Sequence, residues 1–398
     1  MHIDLFFVLY CEMINYIQRS LIMENRAWGN SEISTSLLGF GAMRLPTNPD
    51  GTIEREEALR MLETAYKAGV NYFDTAYPYH NGESEPLLGS FLSKLRRESF
   101  YLATKLPQWL INSLDDAKRI FEEQFVRLQT SYFDFYLIHS IDKKAFLKMV
   151  DLGVLSFLEE QQKTGRIKQL GFSFHSTYED FEFITTYRNW DFIQIQYNYL
   201  DTEEQAGVKG YELCTRLGIP VLVMEPIKGG SLANLPSDLM ESLYQLNKDA
   251  NAAEYALRWV ADHDNVKVIL SGMSTMEQVE QNCSTFSPFV SLTEEETQTL
   301  DTIGQVMRSR IGNGCTGCRY CMPCPFGVDI PQNFALWNKF RMFDRYELIK
   351  EAWESETDQD KRPSACTECG QCIPLCPQHI DIPADLKKMQ QELTARRV

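Results

Sequence analysis

The sequence predicts an α/β fold, a (β/α)8 barrel followed by a smaller, mostly α-helical domain rich in cysteine. Three observations carry this. Between residues 37 and 273 a short β-branched or aromatic run alternates eight times with a longer amphipathic stretch. That span is close to the ~250 residues of a closed eight-unit barrel. Near residue 305 the alternation stops, and Gly-based turns and clustered cysteines take over.

The strand runs are LLGFGAM from Leu37, NYFDTA from Asn71, FYLATK from Phe100, FYLIHS from Phe135, QLGFSF from Gln169, FIQIQYN from Phe192, VLVMEP from Val221 and KVILSGM from Lys267. Near-continuous apolar strands belong to a parallel sheet covered by helices. The segments between them, such as EREEALRMLETAYKAG and SLDDAKRIFEEQFVRLQT, repeat apolar residues every three or four positions and are predicted helices. A doubly wound open sheet shares this alternation but normally opens with a Gly-rich dinucleotide fingerprint after its first strand, and none is present here. The expected architecture is therefore a TIM barrel over residues 23–305 and a second domain over 306–398.

Composition bounds the partners. At 398 residues, with 44% hydrophobic and 24% charged, the chain can bury a large core without staples. Its formal net charge of −16 disfavours nucleic acid, which is bound through clustered Lys and Arg. Residues 1–22, MHIDLFFVLYCEMINYIQRSLI, are apolar, yet no Lys or Arg precedes the run, Asp4 and Glu12 interrupt it and no small-residue cleavage site follows. The stretch is also too broken to span a membrane. It reads as an upstream extension or a misassigned start, with Met23 opening the first domain.

Eight of the eleven cysteines fall in two tight runs. Cys315, Cys318, Cys321 and Cys324 form C-x2-C-x2-C-x2-C-P; Cys366, Cys369, Cys372 and Cys376 form C-x2-C-x2-C-x3-C-P. The second is the bacterial ferredoxin pattern, in which the fourth Cys serves the other cluster of a pair. Two [4Fe-4S] clusters follow, one on Cys315, Cys318, Cys321 and Cys376, the other on Cys366, Cys369, Cys372 and Cys324. The first run is one residue shorter at its last gap than that pattern. Zinc is the alternative, but tetrahedral zinc has no use for a third Cys in each run. Segments PQNFALWNKFRMFDRYELIKEAWESE and PADLKKMQQELTARRV read as helices, giving an α-helical ferredoxin-like domain. Thiolate ligation of this kind points to a reducing, cytoplasmic compartment. The solitary Cys11, Cys214 and Cys283 read as small hydrophobes or incidental thiols.

At the C-terminal ends of barrel strands, where ligands bind in this architecture, stand Asp74, Lys105, His139, Ser173, Gln194, Asn198 and Glu225. As an ensemble they suit carbonyl reduction, which needs a proton donor for the developing alkoxide. Tyr79 can be that donor, Lys105 lowering its pKa, Asp74 keeping Lys105 charged, and His139 orienting the carbonyl oxygen.

The ordered motifs FDTAYPYHNGESE, LATK, YLIHS, GFSF and QIQYN resemble those of the aldo/keto reductase superfamily, over roughly Glu24 to Asn282. The resemblance implies a catalytic tetrad of Asp74, Tyr79, Lys105 and His139, with Tyr79 as general acid. It also implies that Ser173 and Gln194 hold the nicotinamide carboxamide and that the segment before Leu37 is a hairpin plugging the barrel floor. There are departures. Phe174 stands where the family usually has Asn; Met224 and Glu225 stand where it has the nicotinamide-stacking Tyr and a Ser. In SGMSTMEQVEQN, which begins at Ser271, Asn282 keeps the adenine-contacting position, but Gly272 and Gln278 replace the Lys and Arg that pair with a 2′-phosphate. Residues Met224, Glu225, Ser271, Gly272 and Asn282 complete the implied cofactor set. As a whole the chain resembles the subgroup with a C-terminal 4Fe-4S dicluster domain.

The expectation is an oxidoreductase of small-molecule carbonyls or alcohols that uses NAD(H) or NADP(H), with NAD(H) preferred because the 2′-phosphate cations are missing. Hydride carries two electrons and each cluster takes one, so coupling calls for a flavin in the barrel or on an electron-transfer partner protein. The alternatives are a conventional carbonyl reductase with structural or redox-sensing clusters, and a barrel that only binds or regulates.

Overall fold

The computed structural model describes residues 22–29, 31–355 and 361–395. The opening extension, Cys11 included, lies outside the described residues except for Ile22. The described parts of Met1–Gly229 and Ala253–Thr293 form one compact unit, and those of Gly230–Ala252 and Glu294–Val398 form another.

In the first unit, β1 (Asn25–Ala27) and β2 (Ser34–Ser36) make an antiparallel hairpin. Eight strands follow: β3 (Leu38–Gly41), β4 (Tyr72–Asp74), β5 (Tyr101–Pro107), β6 (Phe133–Ile141), β7 (Ile167–Phe174), β8 (Phe192–Gln196), β9 (Val221–Met224) and β10 (Val266–Gly272). All pair in parallel, and β10 closes onto β3 to complete a barrel. Each of the eight apolar runs in the sequence overlaps one of these strands, and closure rules out the open sheet.

The hairpin plugs one end. Trp28 is buried, its ring centroid 4.9 Å from that of Phe135 and its indole nitrogen donating to Thr35 Oγ1 at 2.9 Å. Thr35 in turn donates to the Lys267 carbonyl, and Arg26 donates to the carbonyls of Ala261, His263 and Val266. The hairpin is thus bonded to the chain entering β10, while Trp28 joins Tyr72, Phe135, Phe192 and Leu222 in the barrel interior.

Helices α1 (Arg55–Lys67), α2 (Ser84–Leu92), α3 (Leu114–Leu128), α4 (Lys143–Asp151), α5 (Val154–Lys163), α6 (Tyr178–Tyr187) and α7 (Gly207–Leu217) alternate with the strands. The third shows why such segments fold as they do. Ser113 caps its start by accepting from the Asp116 amide, and Gln129 ends it with a left-handed φ of 51°. Between them Ala117, Ile120, Phe121, Gln124 and Leu128 recur at helical spacing and are buried.

Helices α8 (Ser237–Leu246), α9 (Ala252–Ala261), α10 (Met276–Thr285) and α11 (Glu294–Ser309) follow in the chain. The second unit contains α8 and α11, joined by an Arg310–Asp238 ion pair just beyond the helix, together with α12 (Ile330–Phe343), α13 (Glu347–Ser355) and α14 (Ile382–Ala395). The single helix predicted from residue 331 to 356 is two, because Asp344 takes a left-handed φ of 48° and ends the first. Val328, Phe334, Trp337, Phe340, Trp353 and Leu386 are among the residues of this unit's core, and Trp337 donates to Glu392 Oε2 at 2.7 Å. Among the described residues, no helix is long and apolar enough to cross a membrane.

Candidate active site and cysteine cavities

Parallel pairing brings the ends of β4, β5 and β6 side by side: Asp74 is in register with Ala103, and Pro107 with His139. Lys105 is fully buried and donates to Asp74 Oδ1 at 2.5 Å and to the Thr75 carbonyl at 2.9 Å. Its ammonium lies 5.1 Å from the centroid of the Tyr79 ring. Tyr79 opens a short 3-10 turn, anchored by its amide bond to the Ala76 carbonyl, where His80 and Asn81 hold left-handed φ values of 50° and 54°. The His139 ring stands 5.8 Å from that of Tyr79 and 5.0 Å from that of Trp109. Asp74, Tyr79, Lys105 and His139, the tetrad that the resemblance implies, therefore lie together at one barrel mouth.

Burial is the largest single influence on each of them. It pushes the Asp74 carboxyl up against the pull of Lys105, while the charges of Asp74 and Tyr79 overcome burial to raise Lys105. Burial and the Lys105 charge together push His139 down to about 2, so its imidazole is neutral. For Tyr79 the sequence argument captured the smaller contribution. Lys105 does pull its pKa down, but burial outweighs that pull and Asp74 opposes it, leaving the phenol above its ordinary value and protonated at neutral pH.

Around this group Ser173 Oγ accepts from the Ser140 amide at 2.8 Å, which leaves its hydroxyl proton to donate. The Gln194 amide nitrogen contacts Met224 Sδ at 3.3 Å. Within the described structure Asp74 Oδ2, His139 Nδ1 and Gln194 Oε1 are buried without a hydrogen-bond partner. Such atoms, gathered at one mouth, are what a polar ligand would satisfy. Asn282 donates to Ser271 Oγ at 2.9 Å. Gln278 folds back to accept from the Ser274 amide at 2.7 Å, and Gly272 offers no side chain.

Some residues differ from their sequence-based roles. Asn198 forms a turn: its Oδ1 accepts from the Leu200 and Asp201 amides and its Nδ2 donates to the Glu225 carbonyl, supporting the left-handed φ of 56° at Glu225. Trp109 and Arg44, which the sequence reading did not single out, stand at the mouth. Their signal was position, each lying two or three residues past a strand end.

In the second unit, Cys315, Cys318, Cys321 and Cys376 line one cavity. Cys324, Cys366, Cys369 and Cys372 line another, together with Cys321. Each run thus sends its last cysteine to the other run's cavity. Among the described residues no three His, Cys, Asp or Glu side chains close on a single point as one metal ion requires; the thiols ring a space instead. Cys214 and Cys283 are buried, and burial pushes their thiols up to about 12 and about 11.

The model of the aldo/keto reductase family matches residues 37–305, and that of the 4Fe-4S dicluster domain matches 314–380. Among similar proteins, L-galactose dehydrogenase of Arabidopsis thaliana is 25% identical over 312 residues, covering 72% of this chain and 94% of that one. NADH-specific methylglyoxal reductase of Escherichia coli is 25% identical, covering 64% and 90%. The holo form of an aldo-keto reductase from Bacillus halodurans superposes with a TM-score of 0.59 at 28% identity, covering 70% of this chain and 96% of that one. A barrel of this closure, with these motifs along it and a dicluster region after it, makes the chain an oxidoreductase belonging to the aldo/keto reductase family and carrying a C-terminal 4Fe-4S domain.

Proposed function

We propose that the barrel interconverts small-molecule carbonyls and alcohols with a nicotinamide cofactor and that Tyr79 is the general acid. The observation that carries this is the buried Lys105–Asp74 pair beneath a phenol that stays protonated. When bound, the nicotinamide supplies or accepts a hydride. The residues fit it: Gln194 Oε1 can accept from a carboxamide and the Ser173 hydroxyl can donate to one. Tyr79 gives its proton to the developing alkoxide; Lys105 stabilises the phenolate left behind, and Asp74 holds the ammonium in place. Neutral His139 orients the carbonyl oxygen, and Trp109, 45% exposed beside it, shields the site and faces the substrate.

Relatives do not decide between cofactors, since one is named for NADH and a solved structure from Klebsiella pneumoniae, 21% identical and informative for fold alone, contains NADPH. The choice rests on this chain. With Gln278 engaged internally and Gly272 bare, nothing at those positions pairs with a 2′-phosphate, which favours NAD(H).

Cys315, Cys318, Cys321 and Cys376 would hold one [4Fe-4S] cluster, and Cys324, Cys366, Cys369 and Cys372 a second, each supplying one-electron chemistry. Burial pushes Cys321 up and Cys372 up to about 11, so these thiols hold their protons until a strongly cationic partner such as iron binds the sulfur and displaces them. A flavin, in the barrel mouth or on an electron-transfer protein, is the group that would join paired and single electrons. A second reading, clusters that chiefly hold the unit together, is favoured by the packing of Cys315, Cys321, Cys324, Cys366, Cys372 and Cys376 against its core. Anaerobic purification with iron, sulfide and flavin analysis, then NADH reduction followed by EPR, separates these. Clusters reduced by NADH support electron transfer; clusters that stay oxidised while carbonyl reduction proceeds support the second reading; zinc without sulfide overturns both.

A further inference from the structure

Tyr79 reaches Lys105 from a turn, and the side chain next to it in sequence is used by neither the tetrad nor the carboxamide residues. His80 holds a left-handed φ of 50°. A residue with a Cβ takes that conformation at a cost, whereas glycine takes it freely. Strain of this kind persists where the surroundings over-determine it. At His80 the surroundings are the loop that follows β3: the Leu45 amide donates to His80 Nε2 at 3.2 Å. Burial pushes the imidazole below its ordinary value against the pull of the Glu83 carboxylate, so at neutral pH the ring is uncharged and Nε2 can accept.

The other end of that loop is tied to the strand end that carries Asp74. The Ala42 amide donates to the Asp74 carbonyl at 2.8 Å, and Ser84 Oγ donates to the Ala42 carbonyl at 2.9 Å. Further along, the Arg44 carbonyl accepts from Ser274 Oγ at 2.8 Å, and Glu83 Oε2 accepts from the Ile53 amide at 3.3 Å. Residues 42–45 therefore make a brace with one end on the Asp74 backbone and the other on the His80 ring. The stretch of chain between those two points carries Asp74, which holds Lys105, and Tyr79, whose ring centroid lies 5.1 Å from the Lys105 ammonium. At the Asp74 end the tie is between backbone groups. At the Tyr79 end it is a side chain.

Resting on the reading of Tyr79 as general acid, we propose that His80 is a positioning residue: its imidazole ties the Tyr79 turn to the loop after β3 and so sets the phenol beside Lys105. It acts through Tyr79 and supplies no proton to the reaction. Without the ring the Leu45 amide loses this partner, and the turn is free to carry the phenol away from the ammonium and towards solvent.

The test uses the full, cluster-loaded protein with 13C at the tyrosine ζ carbon, the Tyr79 signal being the one missing from Tyr79→Phe. Its broadening by a soluble nitroxide is measured at neutral pH beside NADH-dependent reduction of methylglyoxal. His80→Gly accepts the left-handed backbone without strain but offers no ring. It should raise the broadening about twofold or more, as a half-buried ring does when it gains solvent. It should also lower kcat about tenfold or more while KM for NADH holds, the mark of a misplaced group at the chemical step. His80→Gln, whose amide oxygen can again accept from Leu45, should recover much of both losses. Wild-type broadening in His80→Gly overturns the proposal, and so does a loss that His80→Gln leaves unrepaired. Full turnover in Tyr79→Phe instead overturns the general-acid reading, whatever the His80 variants do. If methylglyoxal is no substrate, the broadening decides alone; if His80→Gly fails to fold, His80→Asn, also at ease in the left-handed region but shorter, takes its place.

Discussion

Lys105 Nζ stands 2.5 Å from Asp74 Oδ1, both side chains essentially sealed from solvent. Removing one member strands the other, which typically costs about 3–5 kcal/mol for a buried pair. Lys105→Met and Asp74→Asn should each lower the unfolding free energy by that order, read from the shift in urea midpoint. The double variant, with no charge left unpaired, should recover much of the loss while turnover stays absent. A double variant as unstable as the worse single one would mean that packing, not the ion pair, sets the cost.

Tyr79→Phe removes only a hydroxyl, so dinucleotide affinity should hold while kcat falls by about 10²–10⁴, the usual worth of a positioned proton donor. The wild-type pH profile follows from the direction of the shift. Burial places the phenol above its ordinary value of 10.0, so the donor is protonated through neutrality and carbonyl reduction should decline only at or above that value. A midpoint near neutrality in kcat would assign the proton to another group.

His139 gives a pH test of stability. Its folded value of about 2 lies below the ordinary 6.5, so between those values the unfolded chain binds a proton that the folded one refuses. The contribution is complete above pH 6.5 and is lost as pH falls towards 2, with a slope on the order of 1 kcal/mol per pH unit. Urea midpoints across this window should fall more steeply for the wild type than for His139→Asn. Parallel curves would show that the imidazole is accessible to protons in the fold.

The barrel was legible because a parallel strand covered by helices is apolar along its length, as FYLIHS and VLVMEP are, and because strand ends mark the mouth. Asp74, Lys105 and His139 were readable by that rule alone. What the rule cannot convey is where a loop side chain comes to rest. Arg44 follows a strand just as visibly, but that it lies across Gly272 depends on the neighbouring strand. Asn198 sits at a strand end and bonds backward into its own turn. The Tyr79 shift was misjudged for a related reason: a charged neighbour can be inferred from motif spacing, whereas the extent to which the fold desolvates a loop phenol is a tertiary property.

Trp28 sets the stability of the barrel floor. It is 5% exposed and packs on Phe135 and Phe192. Trp28→Ala should cost about 3–5 kcal/mol, the range for a large aromatic removed from a core. Trp28→Phe should cost less, retaining the ring contact but leaving the Thr35 hydroxyl without its indole donor. Thermal unfolding followed by near-UV circular dichroism checks the order, and equal losses would show that the Thr35 bond outweighs the packing.

The crossed cysteine cavities make the sharpest prediction. If Cys376 belongs with Cys315, Cys318 and Cys321, then Cys318→Ala combined with Cys376→Ala disables a single cluster and leaves about half the iron and sulfide. Cys369→Ala combined with Cys376→Ala then strikes both sites and should leave almost none. Ligation of each cluster by one run alone reverses the outcomes: the Cys369 and Cys376 pair would keep half, and the Cys318 and Cys376 pair would lose nearly all. The measurement is iron and acid-labile sulfide per chain after anaerobic purification, and the run-by-run outcome would show that Cys376, though it lines the first cavity, ligates iron in the second.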